Sequence, residues 1–253
     1  MGSLTQLSLL VTDLDHTLVG NAEALHPLLQ LLDHYRQTQG TKIVYATGRS
    51  PVLYRELATS EQLLPPDALI SSVGTEIYLG NATEPDADWA EKLNHNWHRD
   101  RIVATASHFA DLEPQPSSEQ RPFKVSYYLS TSVVAPVLAG LQQQLEQQGQ
   151  DVEIIYSGNK DLDIIPRGGS KGNAVRFLRE VWQIAAPNTV VCGDSGNDIS
   201  LFKYGTERGI IVGNAQPELR LWHELHPVDY HYLAVTDCAA GILEGLQYFR
   251  FVE

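Results

Sequence analysis

Four short polar stretches of this chain carry groups that could together transfer a phosphoryl group. They are residues 13–17 (DLDHT), 47–50 (TGRS), Lys171 and 193–198 (GDSGND). Each follows or caps a segment that is predicted to be a buried strand or the start of a helix. The set supplies two neighbouring acids, a hydroxyl, a lysine and a second acidic cluster. Metal-assisted transfer of a phosphoryl group to a carboxylate requires these groups.

Asp13 and Asp15 form the first acidic pair. Asp13 directly follows the apolar run 7–12, which predicts a strand. Its carboxylate is therefore expected at the carboxyl edge of a sheet, where α/β folds place ligands. Asp15 is close enough to serve the same reacting group, and the pair could divide ester hydrolysis into a transfer half and a hydrolysis half. Taken alone, the pair is as typical of an acidic turn.

Thr47 and Lys171 are predicted to hold phosphate. Thr47 ends the second predicted strand, and its hydroxyl and the following backbone N–H groups could bind phosphate oxygens. The alternative role is a helix N-cap before Pro51, for which Ser50 is better placed. Lys171 begins a predicted helix after two glycines, so its ammonium can fold back toward the sheet edge. The helix dipole disfavours a lysine in the first turn, which favours a role beyond solvation.

The stretch 193–198 is predicted to bind a metal ion. It follows another predicted strand and places oxygen-bearing side chains, among them Asp194, Asn197 and Asp198, between small residues. Mg²⁺ prefers a few carboxylates together with water and substrate oxygens. The alternative is a polar loop. Because four such motifs supply different parts of one reaction, we favour the catalytic interpretation over a structural one.

The elements that must position these residues alternate between strand and helix. Strands are predicted at 7–12, 42–46, 68–72, 189–192 and 209–212, and helices at 22–39, 51–58, 171–182, 199–204 and 239–249. This order predicts an α/β fold with a doubly wound parallel sheet.

The pattern changes in the middle of the chain. One or two helices are predicted over 89–112, a helix over 133–148, and strands over 123–129, 152–156 and 161–165, the last two joined by a hairpin connection at 157–159. We therefore predict a core formed by 1–79 and 168–253, interrupted by an α+β domain at 80–167.

Composition argues against two classes of partner. The chain has 253 residues and a formal net charge of −13, which argues against binding to nucleic acid or to an anionic membrane. Its two cysteines, Cys192 and Cys238, are predicted to be reduced thiols in a cytosolic protein. We find no apolar run of transmembrane length, and residues 1–4 lack the features of a signal peptide. The sequence thus predicts a soluble, cytoplasmic protein.

The four stretches resemble the motifs of the haloacid dehalogenase-like phosphatases. Further stretches are similar to the sucrose-phosphate phosphatases of cyanobacteria and plants, and they extend over essentially the whole chain: 53–57, 72–77, 120–126, 161–166, 214–219 and 238–242. The plant members carry an additional C-terminal domain, so the cyanobacterial form is expected to be the more similar. The resemblance implies a Rossmann-like core, an inserted α+β cap and dependence on Mg²⁺.

The resemblance also implies roles for single residues. Asp13 is implied to be the nucleophile that becomes phosphorylated, and Asp15 the acid that protonates the leaving sugar oxygen and later activates water. Mg²⁺ is implied to be bound by Asp13, the backbone carbonyl of Asp15, Asp194 and Asn197. The implied phosphate- and substrate-binding set is Thr47, Gly48, Arg49, Lys124, Ser126, Lys171, Ser195, Asn197 and Asp198. His16 stands where many members of the superfamily have Gly or Asn.

The predicted cap should hold the sugar. Lys124 and Ser126 share one face of a predicted strand, as do Asp161 and Asp163 on another. From the pattern alone, a solvated sheet face is the better interpretation. The resemblance favours Lys124 as a substrate contact. Trp89 and Trp97 are predicted to pack on helix faces and not to stack on a sugar.

The implied activity is hydrolysis of sucrose 6-phosphate to sucrose and phosphate through an aspartyl-phosphate, the last step of sucrose synthesis. Other sugar phosphates, such as mannosyl-3-phosphoglycerate, and a phosphomutase reaction remain alternatives. A third alternative is a catalytically silent module that docks on sucrose-phosphate synthase. The presence of all the predicted acids argues against this last alternative, although association with the synthase stays open.

Overall fold

A computed structural model describes residues 8–252 of the chain. The strands are β1 (Leu9–Thr12), β2 (Lys42–Ala46), β3 (Ala68–Ser71), β4 (Glu76–Leu79), β5 (Glu113–Pro114), β6 (Val125–Tyr128), β7 (Val152–Ser157), β8 (Asp161–Pro166), β9 (Thr189–Gly193), β10 (Arg208–Ile211) and β11 (His231–Leu233). The α-helices are α1 (Ala22–Gln39), α2 (Pro51–Ser60), α3 (Ala87–Asn94), α4 (Arg99–Ala106), α5 (Val134–Gln147), α6 (Lys171–Trp182), α7 (Ile199–Lys203), α8 (Pro217–Leu225) and α9 (Cys238–Tyr248).

The main sheet has seven strands in the order β11-β10-β9-β1-β2-β3-β4. Every neighbouring pair is parallel except β3 and β4, which run antiparallel. The central strand β1 is buried along its whole length because helices cover both faces of the sheet. Helices α1 and α9 pack in the apolar cluster on one face, and α3, α6, α7 and α8 pack in the cluster on the other. The predicted α/β fold with a parallel-sheet core is confirmed.

A second sheet is formed only by strands from the middle of the chain. Its order is β5-β6-β8-β7, and all of its pairs are antiparallel. Helices α4 and α5 cover one face with a separate apolar cluster. The predicted hairpin connection between β7 and β8 is present, and it comprises residues 158–160, one residue later than predicted, because β7 extends to Ser157. The boundaries of the inserted domain at residues 80 and 167 stay a prediction. Trp89 and Leu93 of α3 lie within these boundaries in sequence, yet they pack in the apolar cluster on one face of the main sheet.

The predicted elements differ from the structure in instructive places. Helix α1 has the predicted bounds and ends at Gly40, whose φ of 72° is the left-handed conformation that glycine adopts readily. The segment 89–112 contains two helices, with a break at 95–98. Strand β6 begins at Val125 and not at 123, because the backbones of Arg121 and Lys124 bond to each other in a tight turn. Residue 7 of the first predicted strand lies outside the described residues.

Three elements of the main-sheet region were not predicted. They are β4, β11 and α8. The two strands have only four and three residues, which is too short for a clear pattern. Helix α8 leaves Leu221 and Leu225 exposed, so only part of its apolar surface is buried in the core.

Two composition-based expectations can be compared with the structure. Within residues 8–252, no helix combines the length and the apolar character that crossing a membrane requires. Cys192 and Cys238 are both buried and free, as expected for reduced thiols.

Candidate active site

The register of the parallel strands brings the predicted motifs together. Thr12 at the end of β1 pairs with Tyr45 of β2 on one side and with Cys192 of β9 on the other. The residues that follow these three strand ends therefore meet at one edge of the sheet. The N–H of Asp13 continues this pairing by donating to the carbonyl of Cys192 at 3.0 Å.

Lys171 occupies the centre of this edge. It is the first residue of α6 and fully buried. Its Nζ donates to Oδ1 of Asp13 at 2.7 Å, to Oδ1 of Asp198 at 2.7 Å and to Oδ1 of Asn197 at 2.8 Å. The ammonium thus folds back to the sheet edge and joins the first and the last of the four motifs.

Gly172 permits this arrangement. A Cβ at this position would lie 1.9 Å from the carbonyl oxygen of Ser200 in α7, far closer than two atoms can approach. Only glycine therefore allows α6 to pack so tightly on α7. This close packing keeps Lys171 beside Asn197 and Asp198.

The two acids of the last motif have different surroundings. Oδ2 of Asp198 accepts the backbone N–H groups of Asp194 at 3.0 Å and Ser195 at 3.1 Å, while its Oδ1 accepts Lys171. Both carboxylate oxygens of Asp198 are therefore engaged. Asp194 accepts a hydrogen bond from the hydroxyl of Thr17 at 3.0 Å. Thr17 lies in the first motif, but the sequence did not single out this contact.

The buried cluster at this edge has fewer positive than negative groups; its members are Asp13, Lys171, Asp194 and Asp198. Burial raises the pKa of Asp13 well above its ordinary value, although the nearby ammonium opposes this shift. Burial and the adjacent carboxylate of Asp198 raise the pKa of Asp194 to about 7. Burial disfavours the ammonium of Lys171, but Asp13 and Asp198 outweigh it and hold the lysine pKa above its ordinary value. Three buried carboxylates share a single ammonium.

The donor set suits a hard divalent cation. Carboxylate oxygens of Asp13, Asp194 and Asp198 lie within 4.8 Å of one another, an arrangement that could hold a metal ion. The donors are oxygens, which Mg²⁺ prefers to nitrogen or sulfur. A cation there would supply the positive charge that the cluster lacks.

Asp15 and Arg49 form a bidentate ion pair beside the cluster. Nε and Nη2 of Arg49 donate to the two carboxylate oxygens of Asp15, each at 2.7 Å. This hydrogen bonding raises the pKa of Arg49. The hydroxyl oxygen of the buried Thr47 accepts the N–H of Arg49 at 3.1 Å. The side chain of Asp15 is therefore oriented by the second motif.

A cavity of about 530 Å³ lies between the two sheets. This volume is in the range of small-molecule sites. Of the predicted site residues, those that line the cavity are Asp13, Asp15, Gly48, Arg49, Lys124, Asp194, Ser195 and Asn197. The remaining four, Thr47, Ser126, Lys171 and Asp198, are fully buried.

Lys124, directly before β6, and Lys160, in the connection between β7 and β8, are the basic groups of the small-sheet region that line the cavity. Nζ of Lys124 lies 3.4 Å from Oδ1 of Asp163, 3.8 Å from Oε2 of Glu119 and 3.4 Å from the carbonyl oxygen of Gly48. The hydroxyl of Ser126 donates to Oδ1 of Asp163 at 2.6 Å, so in this structure it orients Asp163. Because Lys124, Ser126 and Asp163 are all buried, a solvated sheet face is wrong for this group.

Several cavity residues were missed by sequence reasoning. Glu119, Gln115 and Gln216 line the cavity, and Gln115 also donates to Asp161 at 2.9 Å. They belong to turns or short elements without periodicity, so no pattern could have indicated them. His16 has a φ of 60°, the left-handed conformation that Gly and Asn also adopt readily.

The two tryptophans are buried as predicted, but only Trp89 lies on a helix, because Trp97 falls in the break between α3 and α4. Trp89 is buried and its indole N–H donates to the carbonyl of Gly74 at 3.0 Å. Trp97 is buried as well, and its indole N–H donates to the carbonyl of Pro122 at 2.7 Å. Neither residue lines the cavity.

The fold is shared with two solved structures of haloacid dehalogenase-like hydrolases, one from Bacillus subtilis and one from Bacteroides thetaiotaomicron, at 18% identity and TM-scores of 0.65 and 0.64. A family model described as sucrose-6F-phosphate phosphohydrolase matches residues 6–250, and the chain belongs to this family.

Named relatives agree with this assignment. The chain is 41% identical over 252 residues to probable sucrose-phosphatase 2 of Arabidopsis thaliana, covering 96% of this chain and 59% of the relative. It therefore spans about three fifths of the length of that relative. It is 31% identical over 245 residues to the mannosylfructose-phosphate phosphatase of Agrobacterium fabrum, covering 96% of this chain and 97% of the relative.

A solved structure at 39% identity is similar to this chain over nearly its whole length. It is the X-ray structure of the sucrose-phosphatase from Synechocystis sp. PCC6803 in complex with sucrose and phosphate. The TM-score is 0.90 at 39% identity, and the match covers 98% of this chain and 100% of the other.

Proposed function

We propose that this chain hydrolyses sucrose 6-phosphate to sucrose and phosphate through a phosphorylated aspartate. The observation that carries the proposal is the buried cluster of Asp13, Lys171 and Asp198 at the base of a cavity that both sheets line. Membership of the sucrose-6F-phosphate phosphohydrolase family supports the same substrate.

Asp13 is proposed as the nucleophile. It lines the cavity, and Lys171 holds one of its oxygens at 2.7 Å, which orients the carboxylate. The ammonium also favours the ionised form of Asp13, and attack requires that form. Attack on phosphorus then gives an acyl phosphate on Asp13 and releases the sugar oxygen.

Asp15 is proposed to move the proton. It lies two residues from Asp13 and lines the same cavity. As an acid it gives a proton to the departing sugar oxygen, and as a base it takes one from the water that hydrolyses the acyl phosphate. Because Arg49 binds both of its oxygens, this pair must loosen before Asp15 can carry a proton.

Lys171, with Thr47 and the turn that follows it, is proposed to hold the phosphoryl oxygens. The ammonium of Lys171 is shared among three oxygen partners and stands next to the attacking carboxylate. The hydroxyl of Thr47 accepts the N–H of Arg49 and can still donate its own proton. Such fixed donors stabilise the charge that develops in phosphoryl transfer.

The acidic cluster is proposed to hold Mg²⁺. Asp13 and Asp194 would be the carboxylate ligands, with the backbone carbonyl of Asp15 and Asn197 completing the predicted set. Asp198 would serve as a support because both of its oxygens are engaged. Bound there, the cation would neutralise charge on the phosphoryl oxygens.

The small sheet is proposed to bind the sugar. Lys124 reaches the cavity from above the phosphoryl-binding turn, and Asp163 and Glu119 surround its ammonium. Asp161 and Gln115 line the same wall. These groups offer donors and acceptors to sugar hydroxyls. Division of the chain into a core and a cap at residues 80–167, association with sucrose-phosphate synthase and a cytoplasmic location stay predictions.

A second candidate substrate is mannosylfructose phosphate, which the full-length match to the Agrobacterium fabrum enzyme favours. Phosphate release should be measured with sucrose 6-phosphate, mannosylfructose phosphate, mannosyl-3-phosphoglycerate and glucose 6-phosphate. We expect the largest kcat/KM for sucrose 6-phosphate, by roughly tenfold or more. If another of these esters has a larger kcat/KM, that ester replaces sucrose 6-phosphate as the proposed substrate. If none of them releases phosphate, the chain is a binding module and not a phosphatase.

A further inference from the structure

The turn that follows β3 has an unusual backbone. Three consecutive residues have positive φ angles, 54° at Ser72, 66° at Val73 and 116° at Gly74, and all three are buried. A β-branched residue such as valine rarely adopts this conformation. Such conformations persist only where the surrounding structure holds them in place.

One side of this turn supports the phosphoryl-binding segment. The N–H of Ser72 donates to the carbonyl of Arg49 at 2.9 Å, and the N–H of Val73 donates to the carbonyl of Thr47 at 3.1 Å. These two hydrogen bonds fix the backbone of residues 47–49 in the second motif. The position of Thr47 therefore depends on the turn.

The other side of the turn supports the helix that begins with Lys171. A Cβ on Gly74 would lie 2.3 Å from the carbonyl carbon of Ser170 and 2.4 Å from the nitrogen of Lys171. The turn is thus in direct backbone contact with the start of α6. Val73 in turn packs with Ile155 and Ile165 of the small sheet.

Glu76 holds the turn from the first position of β4. Its side chain is 3% exposed and accepts hydrogen bonds from the hydroxyls of Ser71 at 3.3 Å, Ser72 at 3.4 Å and Tyr78 at 3.2 Å. Both Nε and Nη2 of Arg121 lie 2.9 Å from Oε1 of Glu76. This buried carboxylate therefore joins the strained turn to a residue that belongs to the small-sheet side.

Arg121 continues the connection to the sugar end of the cavity. Its N–H donates to the carbonyl of Lys124 at 3.0 Å, and the N–H of Lys124 donates back at 3.2 Å. The ion pair with Glu76 thus anchors the tight turn that carries Lys124. The ammonium of Lys124 lies 3.4 Å from the carbonyl oxygen of Gly48. The turn that carries Lys124 is therefore also in contact with the phosphoryl-binding end of the cavity.

We infer that Glu76 is a positioning residue that fixes the sugar-binding end of the cavity relative to its phosphoryl-binding end. Through Ser71 and Ser72 it supports the turn behind Thr47 and Lys171, and through Arg121 it supports the turn that carries Lys124. The inference rests on the proposed function for its substrate and extends it to a residue that does not line the cavity.

The Glu76→Gln variant tests this role. It keeps the shape of the side chain and one oxygen that can still accept from the hydroxyls supporting the turn behind Thr47, and it places an uncharged NH₂ group opposite Arg121. The KM for sucrose 6-phosphate should rise by roughly tenfold, on the scale of one lost charge-assisted hydrogen bond, while kcat/KM for p-nitrophenyl phosphate changes by less than about twofold. The small ester carries no sugar hydroxyls for Lys124 to bind, so it is expected to report on the phosphoryl end alone.

Glu207→Gln is the matched control. Buried Glu207 forms an ion pair with the half-buried Arg179 of α6, and neither residue lines the cavity. The same chemical change there should lower thermal stability without altering the ratio of specificity constants for the two esters. An equal shift in that ratio for both variants would reduce Glu76 to a stability residue and overturn the inference.

Arg121→Gln completes a double-mutant cycle. If Glu76 acts through Arg121, the double variant should have a KM for sucrose 6-phosphate no higher than the worse single variant. If the increase in KM of the double variant equals the product of the two single increases, Glu76 does not act through Arg121.

Amide hydrogen exchange separates this inference from the proposed function. Exchange at the N–H groups of Arg121 and Lys124 should be at least about tenfold faster in Glu76→Gln and unchanged in Glu207→Gln. Faster exchange in a protein whose wild type does not hydrolyse sucrose 6-phosphate would refute the proposed function and support the positioning role. Unchanged exchange in Glu76→Gln would overturn the positioning role whatever the substrate.

Discussion

The carboxyl edge of the main sheet and the polar face of the small sheet both present a buried lysine among acids, but the two lysines are held differently. Nζ of Lys171 has three oxygen partners at 2.7–2.8 Å, the usual length of a charge-assisted hydrogen bond. Nζ of Lys124 lies 3.4 Å and 3.8 Å from its two carboxylates. Lys171 is therefore fixed in place, whereas Lys124 has hydrogen-bonding capacity left for a ligand.

This difference matches the chemistry proposed for each region. Phosphoryl transfer requires charges that are placed before the substrate arrives, because reorganising them costs catalytic rate. Recognition of a sugar requires donors and acceptors that the protein has not already used. We therefore expect changes at the main-sheet edge to reduce turnover of every ester, and changes at the small sheet to reduce only the turnover of sugar phosphates.

Asp13→Asn should have the largest effect. The substitution keeps the size of the side chain but removes the attacking charge, so kcat should fall by at least about 10³-fold for both sucrose 6-phosphate and p-nitrophenyl phosphate. Steady-state phosphate release measures this. Asp67→Asn is the control, because Asp67 binds the N–H of Ile43 near the opposite end of the strands. Near-normal release by Asp13→Asn would remove Asp13 as the nucleophile.

Metal removal should have the next largest effect. Without a cation, the carboxylates of Asp13 and Asp194 repel each other and the phosphate dianion. A chelator should lower activity on both esters by roughly 100-fold or more, and added Mg²⁺ should restore it. Asp194→Ala should raise the Mg²⁺ concentration that is required or abolish turnover. Full activity in excess chelator would show that the cluster works without a metal.

Ser126→Ala should have the smallest effect. It removes the hydroxyl that donates to Asp163 at 2.6 Å, so Asp163 becomes less well oriented. We expect a loss of about 1 kcal/mol in the free energy of unfolding and a roughly threefold lower kcat/KM for sucrose 6-phosphate only.

Thr105→Val is the matched control for this change. The hydroxyl of Thr105 donates to the side chain of Gln148 at 2.8 Å in the layer of helices on the small sheet, and neither residue lines the cavity. It should lower stability without changing the kinetics. A decrease of equal size for p-nitrophenyl phosphate in Ser126→Ala would place Ser126 in the phosphoryl chemistry instead.

The two regions also differ in how far the sequence predicts them. Asp13, Thr47 and Asp194 each follow a buried strand by one or two residues, and parallel register brings strand ends together. Their meeting at one edge therefore follows from local patterns. The fold-back of Lys171 was predictable for the same reason, because it begins a helix at that edge.

The polar face of the small sheet depends on tertiary contacts that no local pattern encodes. Glu119 reaches the cavity from the end of a three-residue 3₁₀ helix, and Gln115 from the residue after the two-residue strand β5. The period-two pattern grouped Lys124 with Ser126, but it could not show that both are buried or that Ser126 serves Asp163. Likewise, the bidentate pair of Asp15 with Arg49 joins residues 34 positions apart.

The most direct test of this division compares Lys124→Ala with Lys171→Ala on two esters. We expect Lys124→Ala to lower kcat/KM for sucrose 6-phosphate by roughly tenfold to a hundredfold and to leave p-nitrophenyl phosphate within about twofold of wild type. Lys171→Ala should lower both values severely. Equal losses on the two esters for Lys124→Ala would contradict the account, because the small sheet would then share the phosphoryl chemistry and not select the sugar.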